Sequence, residues 1–276
     1  MVKLLAAITT PFDEHGQVDL EAFGPHVAWL AEVGLDGLFV AGTTGEGVLL
    51  EADEVEGLVG RAVADAGGMR VIAQVGRPST RATVALARRA LAAGAHGVAA
   101  YVPWFYPITY AQVRRHFLSL LEAAGDAPAF LYNIPPRTVN DLTPELAGEL
   151  ARAGFAGLKD STGDPERHEA YLAAVRGLDF EVYTGTEPLI VRSARAGAAG
   201  TINGLSNCRP ELFVALRDAL AAGDEDEIGR LHEEISALKA EVKAQDSSVA
   251  AIKRRVRERM AERGVDYPDA MRWPFA

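Results

Sequence analysis

Lys159 is the residue whose type and position most strongly indicate chemistry. It ends the apolar segment Phe155–Leu158, which predicts a short buried strand, and the chain has no other lysine between Lys3 and Lys239. Burying an ammonium group is costly unless the group is paired or loses its proton. A desolvated lysine amine is a nucleophile that can form a Schiff base with a ketone. The alternative is a lysine that extends from a strand end into solvent, in a chain that favours Arg.

Three further groups follow other apolar segments. Residues 42–47, Gly-Thr-Thr-Gly-Glu-Gly, can hold a small carboxylate through backbone N–H groups and two hydroxyls, or they form an ordinary turn. Tyr132 offers a phenol that can pass protons to and from a lysine imine, or it is a core aromatic. Arg137 follows two prolines and can bind a carboxylate with two hydrogen bonds, or it forms a surface ion pair.

An aromatic cluster, Trp104-Phe105-Tyr106, lies between two prolines. Three adjacent aromatic side chains are unusual in an exposed loop, because together they form a large apolar patch. The cluster therefore predicts either a wall of a substrate site or an interface with another subunit.

The elements that must position these groups follow from the apolar segments, which alternate with helical patterns. The predicted strands are Leu4–Thr9, Gly37–Ala41, Arg70–Val75, Gly97–Val102, Ala129–Tyr132, Gly157–Asp160, Glu181–Thr184 and Gly200–Ile202. Eight strand–helix units in about 220 residues predict an α/β fold, the (β/α)8 TIM barrel, whose catalytic groups lie at the strand C-termini. A doubly wound sheet usually carries G-x-G-x-x-G after its first strand, and no such motif follows here.

The last part of the chain has a different pattern. Pro210–Ala221 predicts the last barrel helix, and Asp224–Arg263 is charged and strongly helical. The segment at residues 246–248, Asp-Ser-Ser, predicts a break and the N-cap of a second helix. We expect a barrel domain at residues 1–222 and a C-terminal helical appendage packed on it at residues 223–276.

Composition limits the partners and the compartment. The net charge is −10 without a basic run, so nucleic acid and anionic membranes are unexpected partners. The one cysteine, Cys208, allows no intrachain disulfide and favours the cytoplasm. The N-terminal segment predicts a strand rather than a signal peptide. No uncharged apolar stretch reaches the roughly 18 residues of a membrane helix.

Three motifs carry a resemblance to a known family. They are residues 42–46, Gly-Thr-Thr-Gly-Glu, residues 132–135, Tyr-Asn-Ile-Pro, and residues 157–160, Gly-Leu-Lys-Asp. In this order and at these spacings, the chain resembles the dihydrodipicolinate synthase / N-acetylneuraminate lyase family of class I, pyruvate-dependent aldolases. The similarity extends over the barrel, from Ile8 to Gly204.

The resemblance implies a role for each of several residues. Lys159 would form the imine with pyruvate, and Tyr132 would move protons to and from the imine and the aldehyde. Thr43 and Thr44 would bind the pyruvate carboxylate, with Thr44 hydrogen-bonded to Tyr132. The backbone of Ile202 would lie beside the lysine. Further substrate contacts are expected from Arg137, Phe105, Tyr106 and Gly185.

The reaction that this implies is the making or breaking of a carbon–carbon bond by a lysine imine. An imine is a better electron sink than a ketone, so bound pyruvate can lose a methyl proton and attack an aldehyde. We expect no metal and no other cofactor. The six histidines are scattered and lack metal-ligand spacing such as H-E-x-x-H, which disfavours a metal-dependent aldolase.

The identity of the second substrate stays open. Arg137 and Thr138 resemble the synthase, whose Arg holds the carboxylate of aspartate semialdehyde, but Val139 replaces the usual Gly. Residues 103–107 look more like sugar-acid members such as 2-keto-3-deoxygluconate aldolase, because Phe105 lacks the hydroxyl of the synthase tyrosine and only a shift in register would let Tyr106 serve. We therefore expect an aldehyde that bears carboxylate or hydroxyl groups, with a product such as a 2-keto-3-deoxy sugar acid or 4-hydroxy-tetrahydrodipicolinate.

Two other functions and one assembly state complete the expectations. A family dehydratase of a keto-deoxy sugar acid would use the same lysine and tyrosine. A non-catalytic paralogue that binds keto acids is disfavoured, because Lys159, Tyr132, Thr43 and Thr44 are all present. The resemblance also suggests a homotetramer built from tight dimers, with residues 104–106 near the tight contact.

Overall fold

The computed structural model describes residues 1–274. Eight strands follow one another around a closed parallel barrel and alternate with helices, which confirms the predicted (β/α)8 fold. The strands are β1 (Lys3–Ala7), β2 (Gly37–Val40), β3 (Arg70–Gln74), β4 (Gly97–Tyr101), β5 (Ala129–Asn133), β6 (Gly157–Asp160), β7 (Glu181–Thr184) and β8 (Gly200–Asn203). Nearly every strand residue is buried, as expected for strands covered on both faces.

Ten α-helices are present in the described part of the chain. They are α1 (Leu20–Val33), α2 (Ala52–Asp65), α3 (Thr80–Ala92), α4 (Tyr110–Ala124), α5 (Pro144–Arg152), α6 (Pro165–Ala174), α7 (Ile190–Arg195), α8 (Pro210–Ala222), α9 (Glu225–Lys243) and α10 (Ser248–Ala261). Three short 3-10 helices that the sequence did not predict follow β2, β7 and β8. They span Gly47–Leu49, Glu187–Leu189 and Leu205–Asn207.

Side-chain caps explain where several of these elements begin. Asp19 precedes α1 and is its N-cap, because its side chain accepts a hydrogen bond from the Ala22 N–H. The first strand is shorter than predicted at its C-terminal end. The Thr9 N–H donates to the Asn207 side chain at 3.0 Å, and this contact takes the place of a strand hydrogen bond.

By compactness the chain divides into two units. The first combines Lys3–Val71 with the chain from Asn203 onwards, and the second consists mainly of Ile72–Ile202. Within the first unit, α9 packs on α8 and α10 packs on α9. One buried face of α9 consists of Ile228, Leu231, Ile235, Leu238 and Val242.

The predicted break in the C-terminal helical region is confirmed, because Ser247 caps α10 through a hydrogen bond from Ala250. A domain boundary after residue 222 stays a prediction. Within residues 1–274, no helix is long and apolar enough to cross a membrane.

Candidate active site

A row of four residues crosses strands β4 to β7 within the second unit. Tyr101 pairs with Tyr132, Tyr132 pairs with Lys159, and Lys159 pairs with Tyr183. Side chains alternate between the two faces along a strand, so residues in one register point to the same face. The pairing therefore brings Lys159 and Tyr132 together, as the predicted imine chemistry requires.

The lysine is buried against aromatic rings. Lys159 is 4% exposed, and its Nζ lies 4.4 Å from the centroid of the Tyr132 ring. The Tyr101 ring packs on Tyr132 with centroids 4.8 Å apart, and Trp104 meets Tyr101 edge to face at 5.7 Å. A nucleophilic amine in such a setting is shielded from bulk water and close to a phenol, which are two requirements of imine chemistry.

Gly185 has a structural reason to be glycine. A Cβ atom at this position would lie 3.0 Å from Lys159 Cε and 2.1 Å from Ser161 Oγ. The missing side chain therefore leaves the space that the lysine stem occupies. Ile202 is buried and follows Thr201, which pairs with Thr184 in β7. Direct substrate contacts of Gly185 and Ile202 stay predictions.

Asp160, which follows the lysine, takes part in a different network. It is 1% exposed, its Oδ2 lies 3.1 Å from Nδ1 of His168 in α6, and it accepts hydrogen bonds from the N–H and hydroxyl of Thr162. Because neighbouring residues of a strand point to opposite faces, this network fixes the end of β6 on the side away from the lysine. His168 gave no signal in the sequence, because its place depends on how α6 packs on β6.

Asn133 fixes the end of β5 in a comparable way. Its Nδ2 donates to the Tyr171 hydroxyl of α6 at 2.9 Å and to Asp141 at 3.1 Å. Its Oδ1 accepts from the Leu142 N–H at 3.2 Å. Both residues that directly follow the two central site residues are therefore anchored, which holds Tyr132 and Lys159 in place.

The glycine-rich loop at residues 42–47 lies in the first unit and is a tight turn. Its Glu46 and Gly47 N–H groups donate back to Thr43 and Gly42, and a Cβ atom on Gly47 would lie 1.7 Å from the Ala41 oxygen. Ala41 and Glu46 have φ values of 57° and 54°. Non-glycine residues in this left-handed region cost about 1–3 kcal/mol each, so the surrounding contacts must stabilise the turn.

The two threonines of this loop are half-buried. Thr44 lies against Gly204, where an added Cβ atom would be 3.1 Å from Thr44 Oγ1. Carboxylate binding by Thr43 and Thr44, and a hydrogen bond from Thr44 to Tyr132, stay predictions.

The fold separates the three members of the aromatic cluster at residues 104–106. Trp104 is half-buried on Tyr101, whereas Phe105 and Tyr106 are 72% and 71% exposed. Asn140 holds this segment, because its Nδ2 donates to the carbonyls of Pro103 and Tyr106 at 2.6 and 2.9 Å. Contact of Phe105 and Tyr106 with a substrate or with another subunit stays a prediction.

Arg137 lies at the surface of the second unit. Its N–H donates to the Ile134 carbonyl at 2.9 Å and closes the turn that follows β5, and its side chain is exposed. The guanidinium is therefore accessible to a ligand. Binding of a substrate carboxylate by Arg137 stays a prediction.

Within residues 1–274, no group of three His, Cys, Asp or Glu side chains has a geometry that could hold a metal ion.

A lysine buried beside a tyrosine at the end of a barrel strand is an arrangement suited to lysine-imine chemistry. Comparison with known proteins agrees with this chemistry. The model of the dihydrodipicolinate synthetase family matches residues 1–276, and the chain belongs to this family. It is accordingly a class I lyase or aldolase that uses pyruvate.

Similar proteins differ in the substrates that their names state. The chain is 37% identical over 220 residues to a 4-hydroxy-tetrahydrodipicolinate synthase of Exiguobacterium sp., covering 79% of this chain and 74% of that one. It is 33% identical over 229 residues to an N-acetylneuraminate lyase of Rhizobium meliloti, covering 83% and 76%. A variant of the Sulfolobus solfataricus 2-keto-3-deoxygluconate aldolase superposes with a TM-score of 0.88 at 26% identity, covering 99% and 89%.

Proposed function

We propose that the chain joins pyruvate to an aldehyde that carries hydroxyl or carboxylate groups, or releases pyruvate from the corresponding 2-keto acid, with Lys159 as the imine-forming residue. The observation that carries the proposal is the burial of Lys159 with its Nζ 4.4 Å from the Tyr132 ring centroid. No other cofactor is needed, because the imine itself supplies the electron sink.

The steps follow from these two residues. The Lys159 amine attacks the keto carbon of pyruvate and water leaves, which gives the imine. Loss of a methyl proton gives an enamine, whose carbon attacks the aldehyde while the aldehyde oxygen gains a proton. We assign the proton transfers to the Tyr132 hydroxyl and the holding of the pyruvate carboxylate to Thr43 and Thr44. Water then hydrolyses the product imine and frees the lysine.

For the aldehyde we favour a hydroxyaldehyde, so that the product is a 2-keto-3-deoxy sugar acid. Glu187 begins the 3-10 helix after β7, is 2% exposed and lies two residues beyond Gly185, where an added Cβ atom would be 3.0 Å from Lys159 Cε. A buried carboxylate accepts hydrogen bonds from hydroxyl groups and disfavours a second carboxylate nearby. Phe105 also lacks the hydroxyl that the synthases use.

The test is a panel of aldehydes incubated with pyruvate and the enzyme, with the products identified by mass spectrometry. Glyceraldehyde should give a condensation product faster than aspartate semialdehyde. The reverse order would assign the chain to the synthases. Loss of water from a keto-deoxy sugar acid without pyruvate release would identify a dehydratase instead.

Arg137 offers an independent test of the substrate class. If the natural aldehyde is a sugar, Arg137→Ala should change the KM for glyceraldehyde and the KM for pyruvate by less than about 3-fold. This is the effect expected for an exposed side chain that does not contact the substrate. If the natural aldehyde is aspartate semialdehyde, the KM for that aldehyde should rise about 10-fold or more. The reason is the loss of a bidentate hydrogen bond from the Arg137 guanidinium to the substrate carboxylate. Steady-state kinetics with both aldehydes distinguish the two outcomes.

We also propose that the chain is a cytoplasmic homotetramer. Support for assembly comes from Phe105 and Tyr106, whose exposed rings pack edge to face 4.9 Å apart and form an apolar patch. Support for the compartment comes from the single cysteine, Cys208, which is buried.

Light scattering at micromolar concentration should give about four times the mass of one chain. Replacing Phe105 and Tyr106 together with Ser should lower that mass, since the patch would lose most of its apolar area. A monomer in the unchanged protein would contradict the proposed assembly.

A further inference from the structure

Lys253 is a fully buried lysine on the face of its helix that otherwise buries apolar side chains such as Ile252 and Val256. It lies in α10 and is 0% exposed. Its Nζ donates to Glu46 Oε1 at 2.9 Å and to the Ala270 carbonyl, and it lies 4.5 Å from the centroid of the Phe12 ring. Burial lowers the pKa of Lys253, and the Glu46 carboxylate opposes that effect. Such a group persists only where a partner compensates for the lost hydration.

The partner, Glu46, belongs to the glycine-rich loop at residues 42–47. It is 4% exposed, and its second carboxylate oxygen accepts a hydrogen bond from the Arg272 N–H at 2.9 Å. Both oxygens of this left-handed residue are therefore held by the chain that follows residue 252. The contact spans 207 residues of sequence.

Arg272 holds the same region by a second set of contacts. Its guanidinium forms an ion pair with Glu54 of α2, donates to the carbonyls of Leu49 and Gly16, and stacks 4.7 Å from the Phe12 centroid. The Arg272 side chain is 17% exposed. Arg272 thus holds both ends of the 3-10 helix Gly47–Leu49, through Glu46 before it and the Leu49 carbonyl at its end.

The same helix also contacts the position beside the threonines. A Cβ atom on Gly204 would lie 3.1 Å from Thr44 Oγ1 and 3.1 Å from Ile252 Cδ1. Ile252 and Thr44 therefore both pack against the backbone of Gly204. Since Ile252 precedes Lys253, one turn of α10 is linked to both Thr44 and Glu46.

From these contacts we infer that Lys253 is a positioning residue for pyruvate binding: through Glu46 it sets the conformation of the loop that carries Thr43 and Thr44. The inference rests on the proposed function, in which those threonines hold the pyruvate carboxylate. Lys253 does not touch the substrate. Its loss should therefore weaken pyruvate binding and leave the chemistry at Lys159 intact once pyruvate is bound.

The test compares the wild-type chain with Lys253→Met, which keeps the length of the stem and removes the ammonium group. Borohydride trapping is followed by intact mass over a range of pyruvate concentrations. The concentration for half-maximal trapping should rise about 10- to 100-fold, because a misplaced threonine weakens a hydrogen bond to the charged carboxylate, and such a bond contributes about 10- to 100-fold in affinity. The maximum trapping rate at saturating pyruvate should stay at the wild-type level.

Two further variants remove ambiguity about folding. Lys253→Met leaves the Glu46 carboxylate buried without its counter-charge, whereas the double variant Glu46→Gln/Lys253→Met removes both charges. The double variant should fold and show the same rise in half-maximal pyruvate. The matched control is Arg257→Met, since Arg257 lies on the same helix, is exposed and pairs with Asp269. It should behave as wild type.

Hydrogen exchange separates this inference from the proposed function. In Lys253→Met, the amides of residues 42–50 should exchange faster, and those of β5 and β6 should not change. If the wild-type chain forms no adduct, the proposed function fails, and exchange alone decides whether Lys253 holds the loop. Three results would each overturn the inference. They are half-maximal trapping at the wild-type pyruvate concentration in Lys253→Met and in the double variant, a fall in the maximum trapping rate as large as the loss of pyruvate affinity, and unchanged hydrogen exchange at residues 42–50.

Discussion

Replacing Lys159 with Ala is expected to abolish both turnover and the covalent adduct that pyruvate and borohydride form on the wild-type chain. The amine is the only group assigned to attack the keto carbon, so its loss removes the covalent route altogether. Intact-mass analysis should show the pyruvyl increment on the wild-type chain and no increment on the variant. Residual turnover should be below the detection limit of the assay.

Lys243→Ala is the matched control for this substitution, because Lys243 is an exposed lysine in the last turn of α9. It should form the same adduct as the wild-type chain at the same rate. An adduct of unchanged yield on Lys159→Ala would show that another amine reacts, and the assignment of Lys159 would then be wrong.

Tyr132→Phe is expected to lower kcat by about 10²- to 10⁴-fold, the range for losing a positioned acid–base group. The ring is 2% exposed and packs between Tyr101 and the Lys159 amine, and a phenylalanine can keep this packing. The half-maximal pyruvate concentration should change little, so the kinetic pattern is opposite to that expected for Lys253→Met.

Urea unfolding should give midpoints for Tyr132→Phe and the wild-type chain that agree closely, which shows that only the hydroxyl is lost. Tyr110→Phe removes a phenol from an exposed ring in α4 that bonds to Glu149, and it is the control for this loss. Activity of Tyr132→Phe within a few-fold of wild type would make Tyr132 a core aromatic and remove it from the mechanism.

Local patterns in the sequence were sufficient for much of the fold. The predicted β6 and β7 agree with the observed bounds, Gly157–Asp160 and Glu181–Thr184. The predicted β1 was too long by two residues at its end, because the competing partner of Thr9 is Asn207, far along the chain. Apolar periodicity cannot reveal a hydrogen bond of that sequence separation.

The same limit applies to the site. A lone lysine at the end of an apolar segment was visible in the sequence, and strand register then explains why Tyr132 lies beside it. Tyr101 gave no signal of its own, because its place depends on how β4 pairs with β5. The burial of Lys253 could not be predicted, because a lysine within a charged helical segment is expected to be exposed. Its burial depends on the ion pair with Glu46, which is far away in the sequence.

The contacts of Glu46 have a consequence for the way the chain is made. Synthesis proceeds from the N-terminus, so residues 42–47 leave the ribosome long before Lys253 and Arg272 are translated. Until then the loop lacks the groups that hold its carboxylate, and the left-handed residue has no compensation. The central segment Ile72–Ile202 is contiguous and can become compact first, whereas the first unit must wait for the last residues of the chain. A ribosome stalled before α10 therefore presents a nascent protein in which Tyr132 and Lys159 are already made, while the loop at residues 42–47 still lacks the contacts that hold Glu46.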